Sequence, residues 1–458
     1  MKQFFTTCAL LMLSMGGMAQ NGTEPLETIY QKFAFTLFNK VVEEEHESVI
    51  LSPLSAQVAL SMVQNGAAGN TLAEIQEAMG TTGYTNEQVN EYNQHLTELL
   101  TYRPAYNYDD FSFWGKEEKA REMYERYYPV FETANGVWAT TGYPILEGFK
   151  EMMTNCYDAE VGNVDFGTQE GIDYINGWVS EKTHQLIPFI LDEPNDDIAV
   201  LLANTLYFNG SWATPFITDL TRKETFYLAD GNKMEVDMMK AEDVFCHSTT
   251  SDKFKTVTLP YGQGTFSMTI FLPVESKSIP QLTYEDWLTA TDANAPTKEF
   301  ELRMPKFEIE GKYDMVDIFK SLGMDDAFCG AADFSQMSGG GLFIGDIYQS
   351  GKICVYESGT EAAAVTVAGM NWGVPSPPET FVVDHPFYFT LENNVTHTIL
   401  FMGRMMEIGK PANSPDGINN PVTKPTSTRR QYDLQGRALR QAPAKGIYIQ
   451  DGKKMVVK

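Results

Sequence analysis

Cysteine is scarce: the chain has five in 458 residues. Cys8 lies in the apolar N-terminal stretch, while Cys156, Cys246, Cys329 and Cys354 are far apart, with no CxxC or metal-ligand spacing. That argues against a disulfide-stapled scaffold and against a zinc site, and the four are expected to be small buried residues of a core that carries the stability. Histidine is scarce too, with six residues. His46 sits in the charged run EEEHES, His184 and His247 lie among polar residues, and His385 precedes Pro386; none has an acidic and a nucleophilic partner at a telling spacing. GxSxG, HExxH, the P-loop and the dinucleotide fingerprint are absent, and GGGLFIG at 339–345 reads as a turn before a strand. No enzyme chemistry is therefore expected, and no cofactor. Positive charge is in short supply: 34 Lys and Arg stand against 61 Asp and Glu, a net charge of -27. That balance argues against a nucleic-acid or anionic-membrane partner. Past the N-terminus no stretch is apolar for long enough to span a bilayer.

What is present is the composition of a globular protein with a sizeable core: 43% hydrophobic and 21% charged residues. Residues 1–19 read as a secretory signal, with Lys2 at the start, an apolar stretch over 4–15 and the small residues of Gly17-Met18-Ala19, leaving Gln20 as the mature start. Leu26, Ile29, Tyr30, Phe33, Leu37, Phe38 and Val41 recur at helical spacing. A second helix is expected from Ser52-Pro53, and a third with Asn70 or Thr71 as cap and Gly80 as stop. INGWVSEKTHQLIPFIL reads as a helix that runs to Pro188. Segment 102–128, rich in Tyr, Phe, Arg and Glu, reads as an exposed helix-loop insertion. ANGVWAT and LLANTLYFNGSW read as buried strands, and strand signals dominate after Phe216. Helices first and strands later make an α+β protein. Residues 20–410 form the main domain, 411–428 a linker rich in Pro, Asn, Thr and Ser, and 429–458 a strand-like tail.

One stretch stands apart. Residues 357–379, ESGTEAAAVTVAGMNWGVPSPPE, combine a run of small residues with a single Trp and a Pro-studded exit. Thr360, Ala362, Ala364, Thr366 and Ala368 fall on alternate positions, so in an extended strand they share one face. Such a segment suits a sheet whose inner side has room only for small side chains, whereas a plain linker would use Gly, Ser or charge.

ESGTEAAAVT resembles the reactive-loop hinge of the serpins, the protease-inhibitor superfamily. SVILSPLSAQVALSMVQNGAAGNTLAEI, WVSEKTHQLIPFIL, LLANTLYFNGSWATPF, MPKFEIEGKYDMVDIFKSLGMDDAF, DHPFYFTLEN and ILFMGRM continue the resemblance in serpin order over about residues 26–408. The resemblance implies a serpin fold with a five-stranded central sheet, flanking helices and an exposed reactive-centre loop. It implies that a protease attacks the loop, forms an acyl-enzyme and is trapped when the cut loop enters the sheet as a new strand.

Carried over residue by residue, Glu357, Gly359, Thr360, Glu361, Ala362, Ala363 and Ala364 form the hinge. Ser52, Ser55 and Asn204 line the shutter where the sheet parts, Gln349 stands where many animal serpins have His, and Trp212 lies at the breach where the loop enters. The cleaved bond is expected at Trp372–Gly373 or Gly373–Val374; Val374 suits elastase-like enzymes but Pro375 follows it. The expected partners are serine proteases of elastase, subtilisin or chymotrypsin type, with cysteine proteases as cross-class targets, and a monomer is expected. The rival readings are a non-inhibitory serpin and a surface binding module on the same scaffold. The tail resembles the C-terminal tails of secreted and surface proteins of Bacteroidetes, which implies a bacterial protein placed outside the cell, on its surface or in the periplasm.

Overall fold

The computed structural model describes residues 24–339, 341–345, 347–360 and 379–409, and the backbone of four short strands between 431 and 457. The chain divides into two units, Met1–Pro411 and Ala412–Lys458. The signal segment, the linker and residues 361–378 lie outside the described residues.

In the first unit helices α1 (Leu26–Glu44), α2 (Pro53–Gly66), α3 (Gly69–Met79) and α4 (Asn86–Thr101) come first, with the short strand β1 (Val49–Leu51) between α1 and α2. Their ends follow local chemistry. Ser52 accepts from the Ser55 amide at 3.2 Å and Pro53 occupies the first helical position, so α2 starts where expected. Thr85 and Gln88 form a reciprocal capping box on α4. Gly80 ends α3 at φ 75°, but the α3 cap is Ala68 and not Asn70 or Thr71. The cause is tertiary: Ala68 donates its amide to the Asp333 carbonyl at 2.8 Å, and the Thr71 hydroxyl accepts from the Asp333 amide at 3.0 Å.

Segment 102–128 forms a four-residue helix, α5 (Tyr108–Phe111), a single further turn and then α6 (Glu117–Tyr127). The chain continues through β2 (Val130–Thr140), α7 (Glu147–Tyr157), β3 (Ala159–Val164), α8 (Gln169–Lys182) and β4 (Val200–Ser211). Helix α8 stops at Lys182, six residues short of Pro188. The apolar residues beyond it do not continue the helix; they fold back along it. The Asn176 side chain accepts from the Ile190 and Leu191 amides at 2.9 and 3.0 Å and donates to the Leu191 carbonyl at 2.8 Å. Ile187, Ile190 and Leu191 then pack with Trp138 and Trp178 in a second core. The reversal takes His184 and Gln185 to φ 50° and 67°.

Strands β5 (Arg222–Tyr227), β6 (Lys233–His247), β7 (Phe254–Tyr261) and β8 (Phe266–Pro273) follow, then α9 (Tyr284–Ala290), β9 (Thr297–Pro305), β10 (Phe307–Asp314), α10 (Val316–Ser321), β11 (Tyr348–Val355), β12 (Gly359–Thr360), β13 (Glu379–Val382), β14 (Phe387–Asn393) and β15 (Thr398–Met405). One sheet runs β1-β15-β14-β8-β7-β6-β9-β13, with β5 on β6. The central sheet runs β10-β11-β12-β4-β2-β3: five long strands and the two-residue β12, set between β11 and β4. Helix α2 packs on β4 and β15, so it touches both sheets. This is the expected α+β architecture with a five-stranded central sheet. Cys246 and Cys354 are buried as expected, but Cys156 is half-buried at the edge of the main core and Cys329 is exposed. The second unit carries β16 (Gln431–Tyr432), β17 (Ala438–Leu439), β18 (Gly446–Gln450) and β19 (Lys453–Val457), antiparallel in the order β17-β16-β18-β19.

Candidate functional site

At one end of the central sheet the chain leaves β11, reverses through 356–358 and returns as β12. The reversal is closed by the Tyr356 amide on the Gly359 carbonyl at 2.9 Å. Val355 pairs with Thr360, Gly359 with Ser211 and Thr360 with Gly210, so β12 is antiparallel to both neighbours.

Glu357 is buried for a charged residue, at 8% exposure. Its Oε2 lies 2.9 Å from Lys306 Nζ, its Oε1 accepts from Thr221 Oγ1 at 2.9 Å, and its carbonyl accepts from the Phe216 amide at 2.9 Å. Trp212 grips the next residues: Nε1 donates to the Tyr356 carbonyl at 3.0 Å and its amide to Ser358 at 2.9 Å. Its ring stacks on Tyr261 with centroids 4.2 Å apart and planes 17° from parallel. The Tyr261 hydroxyl in turn meets Thr360 Oγ1 at 2.6 Å. Burial pushes the Tyr261 phenol well up, against the lowering effect of its bond to Thr360, so it stays neutral and able to donate. Gly359 runs hard against β4: a Cβ there would sit 2.1 Å from the Gly210 carbonyl oxygen, and its φ is 157°. Only glycine lies this close to a backbone.

Farther along the same strands Ser52, Ser55, Asn204 and Gln349 converge. Ser52 Oγ donates to the Leu400 carbonyl at 2.7 Å and Ser55 Oγ to the Asn204 carbonyl at 3.2 Å. Gln349 Nε2 makes a short bond to the Ser52 carbonyl. Asn204 Nδ2 donates to Asn135 Oδ1 at 2.6 Å, and Asn135 Nδ2 to the Tyr157 carbonyl at 2.7 Å. Two acceptors are left over: Asn204 Oδ1 and Gln349 Oε1 are buried without a hydrogen-bond partner among the described residues. They come from β4 and β11, the strands that flank β12. Buried polar atoms left this way are uncommon and costly.

The sequence reading thus named Glu357, Gly359, Thr360 and Trp212 at one cluster and Ser52, Ser55, Asn204 and Gln349 at the other. It missed Lys306, Thr221 and Tyr261 at the first and Asn135 at the second. Lys306 and Tyr261 sit in MPKFEIEG and TLPYG, which read only as strand and turn; nothing local marks them as partners of the hinge. Glu361, Ala362, Ala363, Ala364, Trp372, Gly373 and Val374 lie outside the described residues. Among the described histidines His385 is buried between Asp384 and the Pro273 carbonyl, and His184 bonds Glu132 at 2.7 Å. Among the described residues no group of three or more His, Cys, Asp or Glu could hold a metal ion.

The fold and the site define an α+β protein whose central sheet holds Gly359 and Thr360 between two of its own strands. Residues 28–408 match the family Serpin (serine protease inhibitor). An uncharacterized serpin-like protein of Methanosarcina mazei is 31% identical over 389 residues, covering 81% of this chain and 85% of that protein. Human neuroserpin is 30% identical over 414 residues, covering 86% and 94%. Among solved structures the thermophilic serpin tengpin in its native state superposes with a TM-score of 0.73 at 26% identity, over 85% of this chain and 96% of that one. The chain belongs to the serpin family, and family and fold together support a function of the protease-inhibitor type.

Proposed function

We propose that the protein traps serine proteases as a suicide substrate. The observation that carries this reading is the register of β12. Thr360 faces Gly210 on β4 and Val355 on β11. Continued without a shift, the same register sets Thr366 opposite both Asn204 and Gln349, on the same face of the sheet, because directly opposed residues point the same way. The Thr366 hydroxyl carries one hydrogen to donate, and Asn204 Oδ1 and Gln349 Oε1 are the acceptors of this cluster without a partner among the described residues, so it can serve one of them. A loop entering as a full strand meets a site already shaped for it, and its inward positions, Ala362, Ala364 and Ala368, carry little bulk.

In the trap the protease serine oxygen attacks the carbonyl carbon of the reactive bond, at Trp372 or Gly373. The peptide C–N bond breaks, the leaving amine takes a proton from the protease base, and an ester remains. The freed loop enters between β11 and β4. Each new backbone hydrogen bond contributes about 1 kcal/mol net, over many bonds. Glu357, tied to Lys306 and Thr221, anchors the fixed end of the moving segment, and Gly359 allows the close approach to β4. Elastase-, subtilisin- and chymotrypsin-like enzymes are the proposed targets. The signal-like composition of residues 1–19 and the character of the tail support an encounter outside the cytoplasm.

The test mixes the mature protein with an elastase, a chymotrypsin, a trypsin and a subtilisin. We expect a band at the summed mass that survives denaturation, and a released peptide starting at Gly373 or Val374. Loop cleavage by every protease with no such band supports the non-inhibitory alternative and ends this reading.

A further inference from the structure

Segment 102–128 is absorbed neither by the sheet nor by the hinge, yet it is a built piece of structure. Phe111, Ala120, Met123 and Tyr124 form a small core of their own, flanked by Tyr106, Trp114, Tyr127 and Tyr128. Arg103 lies 4.6 Å over the Tyr124 ring and Arg121 4.3 Å over Tyr106. The segment leads directly into β2, two strands from β12 in the central sheet.

Its C-terminal end lands beside the hinge entry. The Tyr127 carbonyl accepts from the Gln263 amide at 3.2 Å, in the turn between β7 and β8. Gly262 makes that approach possible: its φ is 51°, and a Cβ would stand 2.4 Å from the Tyr127 oxygen. Arg126 Nη2 reaches the Ala213 carbonyl at 3.4 Å, one residue past Trp212, and the Ala213 amide bonds Pro260 at 2.9 Å. Burial lowers the Arg126 guanidinium pKa, and its Nη1 has no hydrogen-bond partner among the described residues.

To extend β12 into a full strand, the part of the β4-β2-β3 block beyond the Thr360–Gly210 pair must move away from β11-β10 by about 4.8 Å, one strand spacing. Strands β7 and β8 belong to the other sheet. We propose that segment 102–128 is a brace that ties the start of β2 and the end of β4 to the β7–β8 turn, and so slows entry of the loop into the central sheet. The brace rests on the loop-insertion reading above. It holds the sheet closed until a cut loop pulls with more force than Arg126 and Tyr127 resist.

The experiment uses the full chain and a synthetic peptide of sequence EAAAVTVAG, residues 361–369, whose uptake into the sheet is followed on native gels and by the gain in thermal midpoint. Arg126→Ala removes the guanidinium contact, and Gly262→Ala wedges the turn off Tyr127. Both are expected to take up the peptide about fivefold faster than the wild type, the acceleration that losing one charge-assisted contact in the resting state gives. Phe113→Ala, an exposed change in the same segment, is expected to match the wild type. Equal or slower uptake by both test variants overturns the brace while leaving insertion intact. No uptake by any of the four proteins sinks the insertion reading and the brace with it.

Discussion

Glu357→Gln is the sharpest probe of how the hinge is held. In the folded chain the Glu357 carboxylate faces one cation, Lys306 at 2.9 Å, and one hydroxyl, Thr221 at 2.9 Å. The side chains of Lys306 and Glu357 are only 18% and 10% exposed, so this is not a surface pair worth a few tenths of a kcal/mol. Gln keeps the shape and can still accept from Thr221, but it leaves the ammonium of Lys306 facing a neutral amide. Removing one partner of a buried pair costs about 3–5 kcal/mol; the residual exposure and the nearby Tyr356 ring, 5.7 Å from Nζ, put the expected cost here near the lower figure. With an unfolding entropy of about 2 cal/mol/K per residue over this domain, a loss of about 3 kcal/mol lowers the apparent thermal midpoint by about 4 °C. The double variant Lys306→Met with Glu357→Gln removes both charges and is expected to recover more than half of that loss. The assay is a thermal melt of the four proteins of the cycle under one scan rate. A single variant that melts with the wild type, or a double variant that melts lower than the sum of the singles, refutes the claim that this pair fastens the hinge.

Thr366→Val keeps the volume and removes the hydroxyl proposed to answer Asn204 or Gln349; we expect more cleaved, untrapped inhibitor per trapped protease, by about threefold to tenfold for the loss of one buried hydrogen bond, read from the ratio of bands on denaturing gels. An unchanged ratio refutes the register argument. Glu392 is buried on β14, where it accepts from the Trp287 indole and from Thr269 at 2.8 Å, and burial pushes its carboxyl up to about 7 from an ordinary 4.5, against those two bonds. The fold prefers the protonated acid, so the stability tied to Glu392 is fully present below pH 4.5, is lost as pH rises toward 7 and is gone above it. At 1.36 kcal/mol per unit this amounts to about 3 kcal/mol. Melts of wild type and Glu392→Gln between pH 5 and 8 are expected to diverge as pH rises, with the wild type falling; parallel curves refute it.

How much of this was legible in the sequence varies with the range of the interaction. Ser52-Pro53 and Gly80 were readable as a helix start and stop because a cap is made by neighbours along the chain. The end of α8 was not, because the apolar spacing through Pro188 suits a continued helix and a strap folded back on it equally, and the choice was made by Asn176 and the second core. The hinge was visible as a run of small residues, but its fastenings were not. Tyr261 and Thr360 are 99 residues apart, and Gln349 and Ser52 are 297 apart.

The sequence by itself determined the α+β order of elements, the family and the run of small residues that follows Gly359, since periodicity, caps and side-chain size are local properties of the chain. Only the tertiary structure decided what that stretch meets. Lys306 against Glu357, Tyr261 against Thr360, Asn204 and Gln349 on the two strands beside β12, and α6 set against the β7–β8 turn all depend on sheet register. Register is settled by which faces of distant strands can be buried together, and no short window of sequence contains both strands.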